Sequence, residues 1–240
     1  MDAETFTDDR IIALSKKFIP IKVNPENQEY PENVEAVRRY QVTGFPTIVF
    51  ASSDGGMIAK QVGFIYPNDF APVIEAALEK EQAFMEKLAK LDKTPDDVKL
   101  NSQVALTYLE RMQLEKALPF SKKAFQHDPK NRTGLMPDLH NQLGLAYAGK
   151  VEAAMVGAPE EAGMYFEKAV SHFRTVIDEY PKSDVKDPAQ YYLGITYAIK
   201  GEFDEAISVL EKLVHHTSDA NIKQNAEAML ERVKDLAGSN

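Results

Sequence analysis

The chain has 240 residues, 44% of them hydrophobic and 27% charged, with a formal net charge of -9 and no cysteine. That balance belongs to globular domains, and the length suits one large or two ordinary ones, of which two are expected. The acidic charge argues against a nucleic-acid or anionic-membrane partner, for which a basic patch would be the footprint. Without cysteine, a disulfide framework and a thiolate metal site are excluded within these residues. No apolar run is long enough to span a bilayer, so membrane insertion is not expected, and the start has neither a basic n-region nor an apolar h-region. The expected compartment is cytoplasmic if Met1 is the true start, and periplasmic or secreted if a signal peptide precedes it.

In chain order, Ile11, Ile12, Ala13 and Leu14 predict an amphipathic helix running to residue 18, and residues 18–24 (Phe-Ile-Pro-Ile-Lys-Val-Asn) predict a strand. A short helix over 33–40 delivers the chain to the loop Val42-Thr43-Gly44-Phe45-Pro46-Thr47. Strands are predicted over 47–51 and 57–63, joined by Ser53-Asp54-Gly55-Gly56, whose Asp-Gly and Gly-Gly pairs tolerate the positive dihedrals of a tight hairpin turn. A last helix starts near Asn68.

Together with the opening Met1-Asp2-Ala3-Glu4-Thr5-Phe6-Thr7-Asp8-Asp9, this order resembles the C-terminal part of a thioredoxin-like fold. The opening is similar to the segment that follows the redox pair in relatives of the type Cys-x-x-Cys-Lys-Lys-Met-(x)-x-Glu-Thr-Phe, and Asn24 stands where relatives often have Asp. The resemblance makes Gly44, Phe45, Pro46 and Thr47 a cis-proline loop. The Phe45-Pro46 bond is therefore expected to be cis, although only about 5–6% of X-Pro bonds are. In active relatives this loop lies against the redox pair and lends backbone groups to an extended substrate segment; here its expected role is architectural. The resemblance also implies a central strand between residues 18–24 and 47–51, which is not among these residues. Unpaired buried backbone groups cost about 1–3 kcal/mol each. Three resolutions are open: the native product extends upstream of Met1, which is preferred; the two strands pair with each other; or a partner donates a strand.

A continuous run of helix formers through Ala76, Ala77, Leu78, Leu88 and Leu91 predicts that the last helix of this first unit runs on without a flexible linker. Thr94-Pro95-Asp96-Asp97 then restarts a helix, with Thr94 as the expected cap. The expected domains are 1–93, a thioredoxin-like α+β unit with its connecting helix, and 94–240, all helical.

The second half carries a repeat found three times, at about 98–131, 137–184 and 187–220. The third copy has Leu193-Gly194 and Tyr197, then Gly201, then Ala206, Leu210 and Leu213; the second has Leu143-Gly144, Tyr147, Ala169, Phe173, Val176 and Pro181; the first has Val104-Ala105, Tyr108, Ala117, Ala124 and Pro129. This pattern resembles the tetratricopeptide (TPR) repeat, a helical hairpin of about 34 residues. In the second copy the spacing from Leu143 to Ala169 is 13 residues longer than from Leu193 to Ala206, which makes residues 151–163 an insertion between or extending its helices. Gly144, Gly194 and the alanines allow close helix approach, and Tyr108, Tyr147 and Tyr197 are expected to fill the space between hairpins. Residues 221–236, with Ile222, Ala226, Met229, Leu230, Val233 and Leu236 on one stripe, are the expected cap.

Chemistry elsewhere is thin. Of the five histidines, His127, His140, His172, His215 and His216, the last two are adjacent rather than at ligand spacing and are expected to be solvated helix-end residues. Asp8-Asp9, Asp96-Asp97 and Glu160-Glu161 stand near helix starts and complement the dipole. Gly55-Gly56 opens no helix, so no phosphate loop, cofactor, metal or catalytic residue is implied. The register of the third copy puts Leu106, Leu109, Asn141, Leu145, Tyr191, Ile195 and Ile199 on or near an apolar groove. Modules of the resembled family that bind acidic C-terminal tails use Lys and Asn at groove positions where this chain has Ser102, Leu106, Leu145, Tyr191 and Ile195, so these residues are expected either to pack against the chain's own second helices or to form a groove for an apolar helix or extended peptide. The expected function is a protein-interaction scaffold without catalysis. The alternatives are a thiol-disulfide oxidoreductase, if a Cys-x-x-Cys pair stands upstream of Met1, and a structural subunit whose neighbour completes the sheet.

Overall fold

A computed structural model describes residues 1, 3–27, 29–155 and 157–238, so Asp2 of the opening motif and Val156 of the insertion lie outside the described residues. The chain divides into two compact units, Met1–Lys93 and Thr94–Asn240.

In the first unit, α1 (Asp9–Ser15) is capped by the Asp8 carboxylate, which accepts from the Arg10 and Ile11 N–H groups. Helix α2 (Pro31–Arg39) starts on Pro31, whose fixed φ suits a first helical position, and buries none of its residues. Strands β1 (Thr47–Ala51) and β2 (Met57–Val62) pair antiparallel with Thr47 opposite Val62, and a bulge falls between Phe50 and Ala51. In their turn the Ser52 hydroxyl accepts from Gly56 N–H at 3.0 Å, and Gly55 takes a φ of +80°. Helix α3 (Pro67–Lys93) is continuous and lays Phe70, Ala71, Ile74 and Ala77 into a small core with Ile11 and Phe50.

Residues 18–24 do not form the expected strand. Phe18 packs its ring 5.4 Å from that of Phe50, but beyond it Ile19 and Ile21 are 88% and 80% exposed. A strand is held by a backbone ladder, and no described residue offers one here: the sheet has two strands, β1 and β2, and residues 18–24 do not pair with β1.

The second unit is all helical: α4 (Val98–Glu110), α5 (Leu114–His127), α6 (Met136–Ala154), α7 (Pro159–Glu179), α8 (Lys186–Lys200), α9 (Phe203–His216) and α10 (Ala220–Gly238). They pack as successive pairs α4–α5, α6–α7 and α8–α9, with α10 against α9 and α8, while α4, α6 and α8 touch in series. One core runs from Ala105 to Val233. The cap of α4 is Asp97 rather than Thr94: its carboxylate accepts from Leu100 N–H at 2.8 Å, while Thr94 lends its carbonyl to a turn that ends on Asp97. Of the insertion, residues 151–154 extend α6 and residues 159–163 extend α7. Between α5 and α6, the buried Asp128 carboxylate accepts from Arg132 N–H (2.6 Å), Thr133 N–H (2.9 Å) and the Thr133 hydroxyl (2.6 Å). Burial alone would raise its pKa; these bonds outweigh it and hold the carboxyl below its usual value.

The pair geometry rests on missing side chains. A Cβ at Gly144 would lie 2.6 Å from the Phe173 ring, and one at Gly194 would lie 2.7 Å from Leu210. The tyrosines divide their work: Tyr197 on α8 meets Phe166 of the preceding pair edge-on at 5.6 Å, whereas Tyr108 and Tyr147 stack on Phe120 and Tyr165 within their own pairs.

Gly149 on α6 has nothing within 4 Å of a built Cβ. Gly149→Ala is therefore expected to stabilise the helical unit by about 0.5–1 kcal/mol through helix propensity. Gly144→Ala, on the same helix, is expected to destabilise it by about 1–3 kcal/mol through overpacking. Urea unfolding of the two variants followed by the helix signal checks the opposite signs.

Candidate functional site

Two places in the chain carry the residues that the sequence singles out. The first is the loop ahead of β1. The Phe45–Pro46 bond is cis, the Thr47 hydroxyl donates to Gly44 O at 2.6 Å, and Gly63 N–H donates to Pro46 O at 2.8 Å. Thr47 thus closes the loop on itself, and Pro46 extends the β1–β2 ladder by one rung. Phe45 stands 69% exposed at its tip. On the other side of β2, the fully buried Thr5 hydroxyl donates to Ile65 O at 2.6 Å and ties the N-terminal turn to the segment leaving the strand.

The second place is the series of first helices α4, α6 and α8. Leu106, Leu145 and Ile195 occupy equivalent positions, two residues beyond Val104, Leu143 and Leu193. All three are half-buried, as are Tyr191 and Ile199. Leu109 and Asn141 lie deeper, both buried, and Ser102 is fully buried with its hydroxyl donating to Val98 O. The predicted set therefore separates into a half-buried row of five apolar side chains and two residues beneath it. Asn141 Oδ1 has no hydrogen-bond partner in its buried position. Tyr191 meets Tyr192 edge-on at 5.4 Å; burial, and then the neighbouring Tyr192, raise the pKa of its hydroxyl, which stays protonated and able to donate at neutral pH.

The row carries no charge. Elsewhere in this unit, an open cleft at the start of α8 is lined by Asp138, Glu179, Tyr180 and Asp184, where burial and then Asp184 raise the pKa of Asp138.

Two residues escape the sequence reading. His140 and His172 are half-buried and hydrogen-bonded to each other. The available signal was periodicity: His140 stands four residues before Gly144 and seven before Tyr147, on the stripe that faces the partner helix.

Replacing Thr5 by valine keeps the shape and removes the donor. Thr5→Val is expected to cost the first unit about 1 kcal/mol, because the half-buried Ile65 O loses the bond it receives from the buried Thr5 hydroxyl. Faster amide exchange along the β1–β2 ladder is the measurement that checks it.

A family model described as a thioredoxin-like domain matches residues 1–78, which end inside α3. No curated protein and no solved structure matches the chain. The matched residues include the cis-proline loop and the hairpin that follows it, so residues 1–78 are a thioredoxin-like domain, followed by an all-α array.

Proposed function

We propose that the chain is a protein-interaction scaffold, in which a TPR-type helical array holds an apolar helix or extended peptide and the thioredoxin-like domain takes no part in redox chemistry. The observation that carries this reading is the row Leu106, Leu145, Tyr191, Ile195 and Ile199, half-buried and uncharged on helices that touch in series. Apolar side chains left partly in water gain when a partner covers them, at roughly 25 cal/mol per Å² buried. The 240 residues hold no thiol, and disulfide exchange needs a thiolate nucleophile.

Selection of the full chain against a displayed library of random 12-residue peptides tests the reading. Enrichment of sequences with apolar anchors at helical or alternating spacing is expected. Tyr191→Ala with Ile195→Ala is expected to weaken the best of those peptides by roughly 30-fold or more, the loss of about 2 kcal/mol typical of a buried aromatic anchor. Equal binding by a double variant that keeps its helix signal overturns the reading.

A second reading, that a neighbouring chain completes the sheet, is favoured by the free edge of β1. Because Gly63 donates to Pro46, the Ile48 and Phe50 backbone groups face β2 and those of Thr47 and Val49 face away, where no described strand lies. Ile19 and Ile21 are exposed in the same unit. In this reading the Val49 amide exchanges rapidly in the chain alone and slows at least a hundredfold in its native assembly; equal exchange in both removes it.

A further inference from the structure

His140 on α6 and His172 on α7 meet Nδ1 to Nδ1 at 2.9 Å. Two imidazole nitrogens can approach that closely only when one carries a proton and donates it to the other, so the accepting ring is neutral in this arrangement and the two cannot both be imidazolium. We propose that this imidazole pair is an acid-operated latch: neutral, it joins α6 to α7 and seats both against α5; protonated, it parts the two helices. The inference does not rest on the groove and stands if no peptide binds there.

Aromatic rings from α5, α6 and the residue after α7 surround the pair. Phe125 of α5 stacks on His140 at 4.2 Å and lies 6.4 Å from His172. Tyr147 of α6 lies nearly parallel to His172, 7° between planes and 5.8 Å between centroids, and Tyr180, just past α7, is 6.4 Å from His140. Their faces offer an imidazolium some cation–π attraction but no opposite charge to replace the hydration it would lose.

The charged groups around this enclosure do not compensate. From α7, Lys168 sits 5.2 Å over the Tyr147 ring and opposes a charge on His172; Glu179 acts on Tyr180. From α5, Glu115 acts on Tyr147 but is engaged at 3.1 Å by Lys150 of α6. From the loop after α5, Asp128 acts on Tyr180 and spends its oxygens on Arg132 and Thr133. Among the described residues, neither imidazole bonds a carboxylate. Burial, and then the facing His172, lower the pKa of His140 to about 4; burial, and then Lys168, lower that of His172 to about 4.

The direction of the switch follows. Both values lie below the ordinary 6.5, so the folded unit favours the neutral pair, and the stabilisation is complete above pH 6.5. It is lost as the pH falls from 6.5 towards 4. A first proton can go to the bare Nε2 of the donating ring and leaves the bond in place; the second takes the acceptor Nδ1, leaves two N–H groups facing each other and adds like-charge repulsion. The rings must then separate, and they sit on different helices.

The test uses the full chain and three readouts. Imidazole nitrogen NMR of the unaltered protein is expected to show a coupling through the Nδ1–Nδ1 hydrogen bond at pH 7, with both rings protonating at least one pH unit below 6.5. Amide protection in α6 and α7 should fall at least tenfold along the same titration, after correction for intrinsic exchange. His140→Phe with His172→Leu is expected to move the acid-unfolding midpoint of the helix signal down by half a pH unit or more. Protonation of either ring near 6.5 with α6 and α7 undisturbed overturns the latch, and so does a folded double variant with an unchanged acid midpoint. If that variant does not fold, the titration of the unaltered protein decides alone.

Discussion

The helical unit depends on two side chains that are not there. Phe173 occupies the space where a Cβ of Gly144 would stand, and Leu210 does the same beside Gly194. In the first pair Ala105, fully buried, takes the equivalent position. These approaches set how closely α6 meets α7 and α8 meets α9, and close-packed interiors transmit such spacing to whatever packs next. Everything on the other side of the first helices follows from that seating. Leu145 lies one residue past Gly144, and Ile195 one past Gly194, so the residues that press a helix onto its partner also fix where the apolar row emerges. The imidazole pair depends on the same approach, since His140 and Phe173's neighbour His172 come within hydrogen-bond reach only if α6 and α7 are close.

Much of this was readable in the residues because each feature had a local cause. Asp54-Gly55-Gly56 announces a turn, and Gly55 takes the left-handed φ that the turn requires. Gly144 and Gly194 mark helix contacts because glycine inside a helix costs about 0.5–1 kcal/mol and needs a reason to be there. Gly201 ends α8 with a φ of +85° for the same kind of reason. What was not readable depends on partners remote in sequence. Residues 18–24 alternate like a strand, yet alternation specifies only which side chains share a face; the ladder must come from elsewhere, and none is present among the described residues. His140 and His172 stand 32 residues apart, and nothing in either neighbourhood says that their ring nitrogens meet. Thr94 and Asp97 are both good caps, and the choice fell to Asp97 because its carboxylate reaches the N–H three residues on.

The first unit sets a different balance. It keeps the cis-proline loop and hairpin of a thioredoxin-like domain, while the 240 residues supply no thiol for that loop to serve. What it presents instead is surface: the outward backbone groups of Thr47 and Val49, the ring of Phe45, and the side chains of Ile19 and Ile21. Burying one such isoleucine side chain is worth about 1.5–3 kcal/mol. Its small core of six buried side chains makes that quantity large relative to what holds the unit together. Under the interaction reading, the loop geometry serves to hold an edge strand and an aromatic tip in fixed relation, a task for which no thiol is needed. The helical unit also leaves Met112, Met155, Met164 and Leu236 in water, but more of the exposed large apolar side chains, Ile19, Ile21 and Phe45 among them, belong to the thioredoxin-like unit; the balance of exposed apolar side chains therefore puts a drive for association in the domain whose family name suggests chemistry.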